Sequence, residues 1–542
     1  MQIIAVILSG LLCGALYAFP DFAFLSWLCL VPYFCVVYRM TEKGACIRLY
    51  GVGFLFSISY YITLFHWFWY QYDLSFLGFS PGQNIAYILF AWIGLSTLYS
   101  VSMALLPVLF ALTVRWGTYR RAPYLAPAVI AALWAVIEWT HSKTWMGVPW
   151  GKLAVTQRNY LPVLQSVSFF GSYFISFLVV LVNALLAIAV LILLKKKRTG
   201  LRRASFVAGA AAVLVLANLI FGAAALSYDR RHETGEAIPV ALLQGNLISG
   251  QKWNYGLESS YRLYEEMVLE AAASFSPKMI FFPESAFTVE LSDYPNLVSR
   301  LSSLAKECDA YLFVGALDRD GEEYYNVICL FSPDGEVSEE RYKKQHLVPF
   351  GEYLPMRGFF EAVIPMMDEL NFLPDDLTTG DHSVVFETEM GGVGSLICFD
   401  SIYELLSLDS VRSGAELLSI STNDSWFLDS AAIYEHNGQA VLRAIETRRY
   451  ITRTANSGLS AVISPRGEII ESLAPLREGI VRGEIVMRSD TTLYVRTGNL
   501  FIALLHIFLY GIPAYFLVLR LRDAYEKRRS PKNYHQAPPK AE

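Results

Sequence analysis

The sequence predicts a multi-span α-helical membrane domain joined to an extracytoplasmic α/β domain, and three observations predict it. Of 542 residues, 54% are hydrophobic and 17% charged, with mean hydropathy +0.37, which is too apolar for a soluble chain of this length. Apolar runs near the length that crosses a bilayer, about 20 residues of helix, crowd the region before residue 230 and recur once near residue 500. The stretch between them changes character, alternating short β-branched runs with amphipathic helical patterns, as a layered α/β domain with one core does. The net charge of −5 averages a basic inner face against an acidic outer domain and says little about partners.

The predicted spans cover residues 3–18, 22–38, 50–69, 85–115, 124–140, 164–194, 205–227 and 499–520. The first resembles a secretory signal, but its start has no Lys or Arg and a second span follows at once, so it reads as retained. Cations set the orientation. Arg39, Lys43 and Arg48 follow the second span, Arg115, Arg120 and Arg121 the fourth, and Lys195, Lys196, Lys197, Arg198, Arg202 and Arg203 the sixth. The positive-inside bias puts those loops in the cytoplasm; the loop 141–160, with Lys143, Lys152 and Arg158, departs from the pattern. The expected division is a membrane domain with seven transmembrane helices over 1–228, an extracytoplasmic domain over 229–490, and an eighth helix over 498–521. A basic cytoplasmic tail, 522–542, ends polar and Pro-rich and is predicted to be disordered. Both termini are then cytoplasmic.

In the outer domain, residues 238–244, 278–282, 310–316, 326–331, 393–399, 416–422 and 460–464 read as strands, and 257–273 and 433–449 as amphipathic helices. Chemistry in such domains gathers at strand ends. The chain shows no internal repeat, Walker loop, dinucleotide fingerprint or metal-ligand spacing, so no cofactor, metal or nucleic-acid partner is expected. Of seven cysteines, Cys13, Cys29, Cys35 and Cys46 lie in or beside early spans; in the outer domain Cys308 and Cys329 are the couple that could pair, leaving Cys398.

Cys398 ends an apolar run, where a free cysteine commonly packs as a small apolar residue. Its company argues for chemistry. "FFPES" (281–285) closes a strand with Glu284 straight after a proline, and "YKKQHLVPFGEYLP" (342–355) offers Lys343, Lys344, His346 and Glu352 in a Pro/Gly-rich loop. A thiol needs a base to become a thiolate and a cation to steady the oxyanion formed when it attacks a carbonyl. Glu, Lys and Cys supply those roles.

The three motifs, in this order, resemble the Glu-Lys-Cys triad of the nitrilase superfamily, with the Y-x-K-x-H-L-V-P-F-G-E loop the most specific piece. The flanking spans make the chain resemble one branch of it, the apolipoprotein N-acyltransferases, over nearly its full length. "GVPWGKLAVTQ" (147–157), "LLQGNLISGQKW" (242–253), "STNDSWFLDS" (421–430) and "RAIETRRYITRTANSGLSAVISPRG" (443–467) are further matches. The resemblance implies a nitrilase-like outer domain, a layered α-β-β-α sandwich, with Glu284 as base, Lys344 as cation and Cys398 as nucleophile. Counting forward from Tyr342 and back from Glu352 selects Lys344 over Lys343. Glu352 becomes a second carboxylate that holds the lysine, and the Phe399 backbone N–H faces the oxyanion. Family members usually have Cys-aromatic-Glu where this chain has Cys398-Phe399-Asp400, and Asp400 equally suits the N-cap of a helix from about residue 401. Arg448 stands where a glycine is common. Trp253 matches a tryptophan near the family's lipid pocket, with an interfacial aromatic as the alternative reading. Tyr353, Phe359 and Phe360 are further candidates for substrate binding. The last two open an apolar loop, 358–376, that reads either as a mobile lid or as an ordinary amphipathic helix.

The implied reaction is a two-step acyl transfer. The Cys398 thiolate, aided by the positive end of the following helix, takes an acyl chain from a phosphatidylethanolamine-like phospholipid. The thioester then passes it to the amine of a diacylglyceryl-modified apolipoprotein at the bacterial cytoplasmic membrane, with membrane lipid around both substrates. A membrane-tethered nitrilase-type amidase, with the same triad and water as acceptor, is the second reading.

Overall fold

The computed structural model describes residues 1–43, 46–75, 79–114, 123–143, 147–195, 200–232, 234–247, 255–358 and 376–529. Six helical segments in it are long and apolar enough to cross a membrane: Pro20–Glu42, Cys46–Gln71, Pro81–Thr113, Ser172–Leu194, Gly200–Arg231 and Leu500–Glu526. Two of the eight predicted spans are shorter helices, Gln2–Ala15 and Ala126–Thr140. The span predicted over 164–194 is broken, because the chain turns at Gly171 (φ +76°) before the long helix Ser172–Leu194. A Cβ there would sit 2.5 Å from the Tyr494 ring, so both the turn and the close approach need glycine. Gly10 and Gly14, four apart on the first helix, bring it against the helix Cys46–Leu64; Cβ atoms on them would lie 2.4 Å from the Phe56 carbonyl and 2.5 Å from that of Tyr60. Small residues at this spacing are how apolar helices pack without water to drive them. Some apolar side chains on the long helices stay exposed, Phe206 at 79%, Ile220 at 68% and Ile507 at 67%, as on helices that face lipid. The last helix continues through Arg529, into the tail predicted to be disordered, with Arg522 and Glu526 paired one turn apart.

The α/β domain holds thirteen strands among the described residues: β1 (Ile238–Gln244), β2 (Met279–Phe281), β3 (Phe287–Glu290), β4 (Tyr311–Asp320), β5 (Glu323–Phe331), β6 (Tyr342–Lys343), β7 (Val385–Thr388), β8 (Gly391–Ile397), β9 (Leu417–Thr422), β10 (Tyr450–Ala455), β11 (Ser460–Ile463), β12 (Ile469–Leu473) and β13 (Gly479–Ile485). They form two mixed sheets, ordered β13-β1-β2-β4-β5-β6, with β3 also on β4, and β12-β11-β10-β9-β8-β7. The parallel pairs lie inside, β1–β2–β4 and β8–β9–β10, with antiparallel pairs toward the edges. Alternate residues explain the layering. Val240, Leu242, Phe281 and Phe313 turn toward the second sheet, where Phe313 meets Phe386 at 5.9 Å between ring centroids. Their neighbours Ala241, Leu243, Ile280 and Leu312 lie under the helices Leu257–Phe275 and Pro295–Cys308. With Glu404–Arg412 and Ala431–Thr447 packed on the second sheet, both faces of each sheet are covered, which is why these strands read as nearly continuous apolar runs. Cys308 and Cys329 are both free.

The loop 147–158 of the membrane part lies between the two halves and is bonded to both. Tyr17 and Tyr60 each donate to the Gly151 carbonyl at 2.9 Å, and Arg158 donates to the Tyr17 carbonyl. From the other side, Gln439 donates to the carbonyls of Pro149 and Trp150, Tyr403 to that of Gly147, and Trp150 donates to Glu435 at 2.5 Å. Lys152 pairs with Glu404 at 3.4 Å, both 1% exposed.

Candidate active site

Three chain segments meet at the strand ends, and each makes its turn on a non-glycine residue with positive φ. Ser285 (φ +45°) follows Glu284 beyond β2, Phe350 (φ +63°) lies in the lysine loop beyond β6, and Cys398 itself (φ +48°) follows β8. Such backbone costs on the order of 1–3 kcal/mol per residue and persists where the surroundings hold it, often at functional sites. Gly315 on β4 makes room for the first turn, since a Cβ there would lie 2.2 Å from the Pro283 carbonyl.

Lys344, 1% exposed, is bound by both carboxylates: its Nζ lies 2.8 Å from Glu284 Oε1 and 2.9 Å from Glu352 Oε1. Asn326 Nδ2 donates to the same Glu284 oxygen at 2.8 Å and to Glu352 at 3.3 Å, while Glu352 Oε2 accepts from the Val348 N–H. Burial alone would lower the lysine, but Glu284, Glu352 and Cys398 together push it well above the ordinary ammonium value. It therefore stays protonated. Lys343 points elsewhere, to Asp320 at 3.5 Å and over the Tyr325 ring.

Cys398 is partly buried. Burial pushes its thiol well up, the Glu284 charge adds to that, and Lys344 opposes it; the resting sulfur is a thiol. The expected helix dipole is not there to help. Cys398–Ile402 is a single 3-10 turn, and the α-helix begins only at Glu404, too far on for its end to act at the sulfur.

Asp400 is not the cap of that helix either. Its carboxylate accepts from the Tyr342 hydroxyl at 2.7 Å and from the N–H groups of His346 (2.7 Å), Ile397 (3.3 Å) and Gln345 (3.4 Å). It thereby staples the lysine loop to the cysteine turn, and burial lifts it to about 6 against the pull of Lys344. Phe399 is buried, edge-on to Tyr403 at 5.5 Å. Tyr353 is half-buried, its carbonyl accepting from the Phe350 N–H at 2.8 Å. Trp253, Phe359, Phe360 and nearly all of the loop 358–376 lie outside the described residues.

Sequence reading missed Asn326, Thr422, Asp424 and His436. Thr422 is hydrogen-bonded to the Cys398 side chain, and Asp424 and His436 lie behind it. The ligand atoms of Cys398, Asp424 and His436 are within 4.8 Å of one another. A cation there would compete with Arg453, whose Nη2 lies 2.7 Å from Asp424, so the set fits a hydrogen-bonded cluster rather than a metal site. The available signal was polarity out of place, and only for Asn326, which heads the apolar run NVICLF; Asp424 sits among polar residues in STNDSW.

A two-sheet sandwich with Glu, Lys and Cys at converging strand ends defines a class of enzyme, and residues 239–491 match the family model described as carbon-nitrogen hydrolase. Residues 9–185 match a second model, the apolipoprotein N-acyltransferase N-terminal domain. The chain is 31% identical over 506 residues to the apolipoprotein N-acyltransferase of Geobacter metallireducens, covering 91% of each chain. It is 29% identical over 518 residues to that of Chromobacterium violaceum, covering 92% of each. Among solved structures, the crystal structure of Saccharomyces cerevisiae Nit3, a member of branch 10 of the nitrilase superfamily, covers 46% of this chain and 90% of its own, at 21% identity and TM-score 0.36. The chain belongs to the apolipoprotein N-acyltransferase family.

Proposed function

We propose that this membrane acyltransferase moves an acyl chain from a phosphatidylethanolamine-like phospholipid, through a thioester on Cys398, to the N-terminal amine of diacylglyceryl-modified apolipoproteins. The observation that supports it most is the buried Lys344 held between Glu284 and Glu352, in electrostatic reach of a thiol. Two carboxylates around one ammonium leave an excess negative charge, so Glu284 can take up a proton while the lysine keeps its own. Glu284 removes the thiol proton as sulfur attacks the ester carbonyl. Lys344 has three N–H groups; two go to carboxylates, and the third meets the oxyanion together with the Phe399 N–H, which stands at the start of the 3-10 turn Cys398–Ile402. The ester C–O bond breaks, Glu284 returns the proton to the departing lysophospholipid, and the thioester remains. The lipoprotein amine then attacks the thioester, Glu284 accepts its proton and passes it to the departing sulfur, and the C–S bond breaks to give an amide and the free thiol.

In this reading residues 1–228 and 498–521 form the membrane domain, 229–490 the catalytic domain outside the cytoplasm, and both termini lie inside. By the family resemblance, Trp253, Tyr353, Phe359 and Phe360 are the residues proposed to contact the lipid. The test is intact mass of the purified chain after incubation with phosphatidylethanolamine and no acceptor, beside Cys398→Ala. A hydroxylamine-labile gain of one acyl chain, absent from the alanine variant, is expected. No adduct with the lipid left intact sinks the phospholipid donor.

A further inference from the structure

Thr422, Asp424, His436 and Arg453 are buried beside the nucleophile and take no part in the reaction above. His436 stands on the helix Ala431–Thr447, and its two ring nitrogens face different groups. Nδ1 lies 2.9 Å from Asp424 Oδ1 and 3.1 Å from Arg453 Nη2, and Arg453 donates to Asp424 Oδ2 at 2.7 Å. Nε2 lies 3.2 Å from the Cys398 carbonyl oxygen and 3.1 Å from Ser401 Oγ, a hydroxyl that itself donates to that carbonyl at 2.7 Å. A carbonyl oxygen only accepts, so this contact needs a proton on Nε2, whatever Nδ1 carries toward Asp424. Two donors thus grip the peptide that follows Cys398. That peptide belongs to a residue at φ +48°, a left-handed backbone that a cysteine leaves unless it is held.

We infer that His436 is a positioning residue for the nucleophile: by donating from Nε2 to the carbonyl of Cys398 it keeps that residue in the left-handed turn that aims its sulfur at the acyl carbonyl. Asp424 and Arg453 fix the ring for this task, on the side away from the peptide. The inference rests on Cys398 being the acylated residue.

The experiment follows acyl-adduct formation with time by intact mass, on the full-length chain with phosphatidylethanolamine vesicles and no acceptor. His436→Gln keeps an N–H near the place of Nε2, whereas His436→Asn keeps one near Nδ1 and leaves the carbonyl ungripped. His436→Gln is expected to acylate within about threefold of the parent and His436→Asn about 30-fold slower, with the lipid concentration at half-maximal rate unchanged in both. Equal rates for the two, or the reverse order, would overturn the inference and put the role on the Asp424 side. Should His436→Asn lose its thermal unfolding transition, Ser401→Ala reads the same carbonyl. It is expected to slow acylation about three- to tenfold at unchanged lipid dependence, and an unchanged rate would overturn the inference as firmly. Cys398→Ala separates the two ideas. If the parent gains no adduct, or the alanine variant gains one, it is the acyl-enzyme reading that falls and takes the inference with it.

Discussion

At the scale of single residues, the site is a charge arrangement that favours the protonated form of the Cys398 thiol. Burial and Glu284 hold the Cys398 thiol well above its ordinary value. Its alkylation by iodoacetamide is therefore expected to accelerate about tenfold per pH unit from about pH 7 to about pH 10 without a plateau. A plateau near neutrality would reveal a resting thiolate. Asn326 gives a second prediction, because it donates to both carboxylates. Asn326→Leu removes a hydrogen bond to a buried charge, a loss of about 1.5–3 kcal/mol, or roughly 10- to 100-fold in acylation rate if it falls on the transition state. Stopped-time mass measurements, with the unfolding midpoint as control, check it. That Glu284, Lys344, Glu352 and Cys398 would converge was legible because each sits in a short motif at a predicted strand end. Asn326, Thr422 and His436 were not, since an amide, a hydroxyl and an imidazole inside apolar or amphipathic runs gain meaning only from what folding places beside them. Asp400 was legible as a departure but not in its bonding, because its donors come from residues 342–346 as well as from its own turn.

At the scale of elements, short and nearly continuous apolar runs made the inner strands readable, and each of the seven predicted strands overlaps an observed one. The strands missed are those with other signals. β10, YITRTA, is fully buried yet mixes threonine and arginine into the apolar pattern, and β12 is mostly exposed. The strand predicted over 393–399 ends at Ile397, because Cys398, at φ +48°, turns out of the ladder into a 3-10 turn. A departure from the family finds its physical reason here as well. Arg448, where a glycine is common, caps the helix Ala431–Thr447 in the left-handed conformation, φ +58°, where glycine carries no Cβ penalty. Its guanidinium reaches Asp229 at 3.1 Å and Asp490 at 3.4 Å. Arg448→Gly should relieve backbone strain of roughly 1 kcal/mol while losing two partly exposed pairs worth about 0.2–1 kcal/mol each. The thermal midpoint is expected to move by only a few degrees in either direction, about 2–4 °C per kcal/mol for a domain of this size; a loss beyond about 10 °C would mean that the pair with Asp229 ties the domain to its membrane helix.

At the scale of the whole molecule, composition and apolar runs revealed the membrane part, and six of the eight predicted spans have helices of full length. The loop 147–158 was quoted as a motif, and nothing in its spacing foretold that its backbone would be bonded from both sides. The Lys152–Glu404 pair across this boundary is 1% exposed on both sides. Lys152→Met leaves a buried carboxylate without that partner, which costs about 3–5 kcal/mol, whereas adding Glu404→Leu is expected to recover most of the loss. Unfolding midpoints of the detergent-solubilised chain decide the matter: no recovery in the double variant would show that the Lys152 contact with the Ile402 carbonyl, at 3.5 Å, matters more than the charge.

The doubly bonded loop also makes the molecule a ruler. A domain on a floating linker could search through many distances from the bilayer, whereas one gripped by Tyr17, Tyr60, Gln439 and Tyr403 presents Cys398 at a single height. Selection can then act on reach alone. On the proposed reading, an amine whose own lipid anchor holds it at that height would meet the thioester whatever its later sequence, and one carried a few residues farther out would not.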